Sequence, residues 1–157
     1  MQISLVCVGV TDENQIQQLI DKYRKRLPAH YNFQIIELPD IKNRKSLSID
    51  QQKQQEEKMI LDKIKSGDYV ILLDEKGKAM SSIKFAHFLN QQFVSMTQHL
   101  VFVIGGPYGF SQNMYQRSNY KISLSAMTFT HQMVRLFFVE QLYRAFTILQ
   151  GKSYHHE

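Results

Sequence analysis

The chain has 157 residues, is 43% hydrophobic and carries a formal net charge of +5 at pH 7, which suits one domain with a real core and argues against disorder. It contains no apolar run of membrane-span length, no secretion-signal pattern at the N-terminus and only one cysteine, which excludes a disulfide framework or a zinc cluster. We therefore expect one cytoplasmic domain over residues 1–157, without metal, whose positive charge favours an anionic partner such as nucleic acid.

Short apolar strands alternate with helical segments from the first residue onward. The strand patterns cover residues 2–9, 33–38, 69–73, 100–104 and 122–126. A first helix follows the capping candidates Thr11 and Asp12 and stops at Pro28. The other helical patterns cover residues 49–66, about 82–93, 111–119 and 131–149. Residues 75–78 are a predicted turn and residues 40–48 a polar loop, while the Gln-rich stretch 51–55 indicates a solvated helix face. This alternation predicts an α/β fold with a parallel sheet.

The last predicted helix is apolar around most of its circumference. Its apolar residues include Met133, Phe137, Phe138, Leu142 and Phe146. Such a helix must be buried on more than one side. A central core position and a subunit interface both satisfy this requirement, and we favour an interface, which predicts a homodimer.

Three of the predicted strands end in segments that suit a bound cofactor. The strand at 100–104 leads into the GGPYG stretch at 105–109, Leu73 ends a second strand, and residues 124–129 follow a third. Parallel sheets bind ligands at such strand ends, and glycines let the backbone approach a ligand closely. A tight turn that needs positive φ would explain the same glycines.

The type of cofactor follows from what these segments contain. The chain has neither G-x-G-x-x-G after its first strand nor a Walker A motif, which argues against an oxidoreductase with a dinucleotide. Backbone groups can meet an adenine edge, and Leu73, Leu124 and Met127 can cover the ring faces, while a dense basic cluster for a triphosphate is missing. These features suit S-adenosylmethionine better than ATP.

Several sequence blocks resemble the RlmH-type 23S rRNA pseudouridine methyltransferases of the SPOUT superfamily, over essentially the whole chain. The matching blocks are MQISLVCVG at the start, LLDEKGK at 72–78, FVIGGPYG at 102–109, SLSAMTFTHQMVR at 123–135, EQLYRAF at 140–146 and the final YHHE. The resemblance implies a C-terminal trefoil knot, an exception to the rule against knotted chains. It also implies a homodimer with S-adenosylmethionine in the knot, which methylates N3 of a pseudouridine in the helix 69 loop of 23S rRNA, on assembled ribosomes.

The resemblance implies roles for individual residues as well. The family's cofactor-contacting positions correspond to Leu73, Gly105, Leu124, Ser125, Ala126, Met127, Thr128 and Phe129. Its catalytic pair corresponds to Tyr154 and His155, in a tail that reaches the active site across the dimer. The acceptor N3 must lose a proton before it attacks, so His155 is a candidate general base; an RNA contact or a frayed chain end are the alternatives.

Two residues depart from the family pattern. Thr130 stands where relatives often have proline, which we expect to loosen the turn before the last helix. His156 stands where relatives usually have Arg or Lys, which puts a fixed charge at that position in doubt.

The candidate RNA contacts are basic residues in several parts of the chain. They are His131, Arg135, His156, Arg24, Arg26 and Arg44. The last three belong to Lys/Arg clusters at 22–26 and 42–45, which a solvated face would explain equally well. Arg144 can instead pair with Glu140 one helical turn away. The alternative function is a non-catalytic ribosome-binding protein that retains the fold, which S-adenosylmethionine binding would distinguish.

Overall fold

The computed structural model describes residues 1–156. Within this range, five strands form one sheet in the order β2-β1-β4-β3-β5, and every neighbouring pair is parallel. The strands are β1 Gln2–Val8, β2 Phe33–Leu38, β3 Tyr69–Ala79, β4 His99–Ile104 and β5 Tyr120–Ser123. The predicted α/β fold with a parallel sheet is confirmed, and the trefoil knot stays a prediction.

Helices cover both faces of the sheet. They are α1 Asn14–Arg24, α2 Ile49–Leu61, α3 Ser82–Val94, α4 Gln112–Arg117 and α5 His131–Leu149. Apolar residues of α1, α3 and α5 share one core cluster, and those of α2 and α4 share the other. None of these helices, all within residues 1–156, is long and apolar enough to cross a membrane.

The central strands are buried on both faces, which explains why they are continuously apolar in sequence. Leu5 and Phe102 point to the cluster of α1, α3 and α5, whereas their chain neighbours Val6 and Val103 point to that of α2 and α4. All four side chains are completely buried. The two-residue period of a strand therefore supplies both cores from the same segments.

The predicted turn at 75–78 is wrong, because β3 continues through it to Ala79. The last residues of β3 pair with β5, where Lys78 lies opposite Ile122 and Ala79 opposite Ser123. The pairing register of the two strands shifts between Leu73 and Lys78. A Cβ on Gly77 would lie 2.6 Å from the Ile122 backbone. The glycine is needed for this close approach of two strands, and strand pairing overrides the local turn signal.

Other predicted boundaries shift by a few residues. The helix predicted over 49–66 ends at Leu61, and the strand predicted over 122–126 ends at Ser123. The residue before α1 is Glu13, which makes no side-chain cap, so the predicted caps Thr11 and Asp12 are wrong. The prediction for the last helix, residues 131–149, is confirmed.

Helix α5 divides its apolar residues between two faces. Phe138 and Leu142 are completely buried against the sheet, so this face belongs to the core of the chain itself. The outer face is only half-buried, and there Phe137 packs against Phe129 with ring centroids 4.8 Å apart. The core position accounts for one side of the helix, and the homodimer interface stays a prediction for the outer side.

Candidate functional site

A cavity of about 370 Å³ lies beyond the carboxyl ends of β4 and β5 and beside the middle of β3, at Leu73 to Lys76. The strand order brings Leu73, the loop at 105–109 and the turn at 124–129 around it. Every predicted cofactor residue except Ala126 lines the cavity; Ala126 is exposed in the same turn. The loops after β4 and β5 therefore converge on one site with Leu73, which lies inside β3 at its irregularity and does not end a strand as predicted.

The glycines of the 105–109 loop meet two different requirements. Only Gly109 has a positive φ, of 77°, so the tight-turn explanation applies there. A Cβ on Gly105 would lie 2.9 Å from the Phe110 ring, and one on Gly106 would lie 2.2 Å from a Glu56 carboxylate oxygen. The first two glycines are thus required because the protein itself packs against them.

Helix α2 holds this loop with a buried carboxylate. Glu56 is only 3% exposed and accepts hydrogen bonds from Gln52 Nε2, at 3.1 Å, and from the Gly106 backbone N–H. Burial raises the pKa of Glu56, and these two hydrogen bonds partly oppose that shift. Gln52 is itself buried, so the interpretation of residues 51–55 as a solvated face is wrong at this position.

The next residue of α2, Glu57, binds the start of α4, which follows the same loop. Glu57 accepts hydrogen bonds from Ser111 Oγ and from Asn113 Nδ2, the latter at 3.2 Å. Ser111 also caps α4 by accepting from the Met114 N–H. Sequence reasoning missed both glutamates, since a polar helix stretch gives no local sign of what it touches.

The turn at 124–129 is ordered by its own hydroxyl groups. Ser125 Oγ accepts from the Met127 N–H at 2.9 Å, and Ser123 Oγ donates to the Ser125 carbonyl at 3.0 Å. Thr130, the residue in place of proline, has φ −62° and caps α5 by accepting from the Met133 N–H. The expected loosening is therefore offset, because threonine supplies a cap that proline lacks.

Apolar side chains stand exposed at the mouth of the cavity. Met127 is 75% exposed and Phe129 is 38% exposed. Deeper in, Asp74 accepts from the Tyr115 hydroxyl and, at 2.9 Å, from the Lys76 N–H. Burial together with Asp74 raises the pKa of Tyr115 to about 12, so this phenol stays protonated and donates. Asp74 and Tyr115 line the cavity and were not predicted from the sequence.

A second cavity, of about 270 Å³, lies beyond Gly106 and Pro107 at the ends of β1 and β2. His131 borders both cavities. Partial burial of its ring and the nearby Arg135 guanidinium lower the pKa of His131, which favours a neutral imidazole near pH 7.

Arg135 closes the base of this second cavity. It is 1% exposed, and its guanidinium donates to the carbonyl oxygens of Val8 and Gly9, at 2.8 and 3.0 Å, and to Thr11 Oγ1, at 2.8 Å. Its Nη1 also lies 3.7 Å from Glu37 Oε1. The phosphate contact predicted for Arg135 is not open to it in this position, since its side chain is buried holding the end of β1.

The C-terminal residues pack on the second half of α5. The Tyr154 hydroxyl donates to Glu140 Oε1 at 3.0 Å, and its ring lies 4.8 Å from that of Tyr143. Arg144 forms the predicted pair with Glu140 through Nε, at 3.1 Å, and Nη2, at 2.5 Å. Arg144 Nη1 also lies 3.4 Å from Nδ1 of His155. The tail up to His155 is thus docked, and we call Glu140, Arg144, Tyr154 and His155 the tail cluster.

The remaining basic candidates lie at the surface. Arg24, Arg26, Arg44 and His156 are exposed, and the Asp40 carboxylate lies 3.9 Å from Arg44. Within residues 1–156, no group of three or more His, Cys, Asp and Glu side chains is placed to hold a metal ion.

The chain is similar to known methyltransferases over most or all of its length. A family model described as "Predicted SPOUT methyltransferase" matches residues 1–155. A protein of Flavobacterium johnsoniae named "Ribosomal RNA large subunit methyltransferase H" is 53% identical over 157 residues, all of both chains. Proteins of the same name from Flavobacterium psychrophilum and Cytophaga hutchinsonii are 54% and 47% identical, over 100% and 99% of this chain and all of theirs.

Proposed function

The chain belongs to the SPOUT methyltransferase family, and from this we propose that it methylates N3 of a pseudouridine in the helix 69 loop of 23S rRNA, on assembled ribosomes. The methyl donor in this proposal is S-adenosylmethionine. The names of relatives that match along their full length support ribosomal RNA as the substrate.

One observation carries the proposal: the loops after β4 and β5 meet the middle of β3 around one cavity. Leu73 and Leu124 offer apolar walls to an adenine ring, and loop backbone offers N–H and C=O groups to its edge. Gly106 lines the cavity, and Glu56, which packs where a Gly106 side chain would lie, keeps that loop in place from behind. S-adenosylmethionine, when bound, supplies a methyl group activated by the sulfonium charge.

The catalytic pair of the proposal is Tyr154 and His155, which the protein must bring to the acceptor base. Within one chain, the tail and the cavity lie at different ends of α5. His131 borders the cavity, and the tail packs beside Arg144, 13 residues further along α5. At ~1.5 Å per residue, helix geometry separates them by about 20 Å.

A second copy of the chain could place its tail next to the cavity of the first. If two α5 helices pair antiparallel through their half-buried outer faces, the tail of each copy comes close to the cavity of the other. Phe137 on that face, and Met127 and Phe129 at the cavity mouth, would then be covered. We therefore propose a homodimer whose sites each combine one copy's cavity with the other copy's tail.

The reaction is tested by methylating purified ribosomes with labelled S-adenosylmethionine and analysing the nucleosides. Labelled N3-methylpseudouridine at the helix 69 loop is expected, and its absence while the protein binds ribosomes would leave the non-catalytic alternative. Calorimetric titration with S-adenosylmethionine provides an independent check, because a protein that only retains the fold need not saturate.

The composite site is tested with mixed dimers. One variant lacks residues 154–157 and keeps the cavity, and the other carries Gly106→Val and keeps the tail. Each homodimer should be inactive, whereas a mixed dimer has one complete site only if the tail acts across the interface. Activity in the mixture is the expected result, and an inactive mixed dimer would show that each tail serves its own chain.

A further inference from the structure

The contact between Arg144 and His155 determines which imidazole nitrogen carries a proton. Arg144 Nη1 lies 3.4 Å from His155 Nδ1. An arginine guanidinium stays charged in proteins and can only donate, so Nδ1 must accept and cannot itself bear hydrogen. In the neutral imidazole the proton is then on Nε2, which leaves His155 with a hydrogen-bond donor on its free side.

Arg144 is held in the orientation that makes this contact. Glu140 accepts from both Nε and Nη2, and the Tyr154 ring lies 4.7 Å from the guanidinium carbon. The side chains of Arg144 and Glu140 are only 24% and 17% exposed, which limits screening of the pair by water. The tail cluster therefore holds the Arg144 guanidinium where it can donate a hydrogen bond to His155 Nδ1.

Among residues 1–156, the hydrogen bonds of the structure give His155 Nδ1 no partner other than Arg144. On α5 the neighbours are Glu140, which is engaged by Arg144, and Tyr143, whose ring faces Tyr154. From α1, Tyr23 hydrogen-bonds Tyr154 and Arg26 lies over the Tyr143 ring. Burial and the bonds to Tyr23 and Glu140 raise the pKa of Tyr154, so its hydroxyl also stays a donor.

Resting on the proposed function, we infer that Arg144 is a positioning residue that keeps His155 in its Nε2–H form, and that His155 donates a hydrogen bond to a carbonyl oxygen of the acceptor base instead of removing its N3 proton. The N3 proton leaves to water, and the resulting negative charge is shared by N3 and the two flanking carbonyl oxygens. The Nε2–H bond stabilises that charge. The N3 lone pair then forms the bond to the methyl carbon as the carbon–sulfur bond breaks and sulfur leaves as a neutral thioether.

The two roles of His155 predict different results for His155→Gln and His155→Ala. Glutamine keeps an N–H donor near the same place but cannot act as a base. A donor role predicts that His155→Gln stays within about tenfold of the wild-type turnover, while His155→Ala loses roughly 10- to 150-fold, the range of a hydrogen bond to a charged group. A base role predicts that the two variants are equally slow, which would overturn the inference.

The pH profile of turnover separates the roles a second time. With a donor, log kcat rises with pH in the wild type and in His155→Ala alike, because the acceptor loses its proton to water in both. With a base, the wild type shows an extra limb at the imidazole titration that both variants lose. That limb would refute the inference whatever the size of the rate losses.

The tautomer can be measured without any substrate, by ¹⁵N NMR of the His155 ring in the full-length protein. At a pH at which the imidazole is neutral, the wild type should show a proton on Nε2 and none on Nδ1. Arg144→Met, which has similar bulk and no donor, should show a measurable fraction of the Nδ1–H tautomer, Arg144→Lys a smaller fraction, and the control Lys152→Ala, at an exposed residue, none. A protonated Nδ1 in the wild type would contradict the inference. Full activity after deletion of residues 154–157 would instead remove the catalytic tail from the proposed function.

Discussion

Gly106→Ala tests whether helix α2 shapes the cofactor cavity. The new Cβ would lie 2.2 and 2.5 Å from the two oxygens of the Glu56 carboxylate, distances that real Cβ atoms do not show. Glu56 has little freedom to yield, because it is 3% exposed and holds hydrogen bonds from Gln52 and from Gly106 itself. The loop at 105–109 must therefore move, and the cavity with it.

The size of the effect follows from the overlap. Overpacking of this kind costs about 1–3 kcal/mol. If the loop shift appears in cofactor binding, at ~1.4 kcal/mol per tenfold, the Kd for S-adenosylmethionine rises about 5- to 150-fold. Calorimetric titration measures this, and thermal unfolding by circular dichroism shows what part of the cost appears in stability. Gly67→Ala is the matched control, since a Cβ there meets nothing within 4 Å.

A double variant shows whether Glu56 is the cause. Glu56→Ala removes the atoms that the new Cβ would strike, so Gly106→Ala/Glu56→Ala should bind the cofactor no worse than Glu56→Ala alone. Unchanged affinity and stability in Gly106→Ala would refute the packing argument. Additive losses in the double variant would show that the alanine acts on the loop without Glu56.

Three further predictions concern the pH dependence of stability and the two faces of α5. Because burial raises the folded-state pKa of Glu56, ionising it opposes folding, and its stabilising contribution is lost as pH rises from the ordinary glutamate range through the raised value. Glu56→Gln should therefore gain Tm relative to wild type as pH rises above 4.5, the ordinary glutamate value, and a relative loss would mean that the hydrogen bonds outweigh burial. On α5, Phe138→Ala should destabilise the fold by about 3–5 kcal/mol in denaturant titrations, since the side chain is completely buried. Phe137→Glu, on the half-buried outer face, should leave the fold intact and give a monomer in light scattering at micromolar concentration. A monomeric wild type would rule out the proposed interface, and a folded dimer of Phe137→Glu would place it elsewhere.

The fold class follows from the sequence because burial imposes local periods. Strands buried on both faces must be continuously apolar, as residues 100–104 are, and helices must repeat their apolar residues about every turn. The candidate cofactor loops were also predictable, because ligand sites in parallel sheets lie at strand ends and Gly105 and Gly106 stand at one of them. The specific blocks shared with a family added the residue roles that periodicity cannot supply.

Only the tertiary structure decided which distant groups meet, and there local signals failed. The turn-like residues 75–78 are extended because β5 pairs with them, and pairing outweighs local preference. Glu56 belongs to a stretch that the sequence presents as a polar helix, yet packing buries it behind Gly106, 50 residues away. Arg135 was a candidate RNA contact because it is basic, yet it is buried and donates to the carbonyl oxygens of Val8, at the end of β1, and of Gly9. Each of these contacts depends on the strand order β2-β1-β4-β3-β5, which determines which segments are neighbours in the sheet. The local spacing of residues in the sequence does not reveal that order.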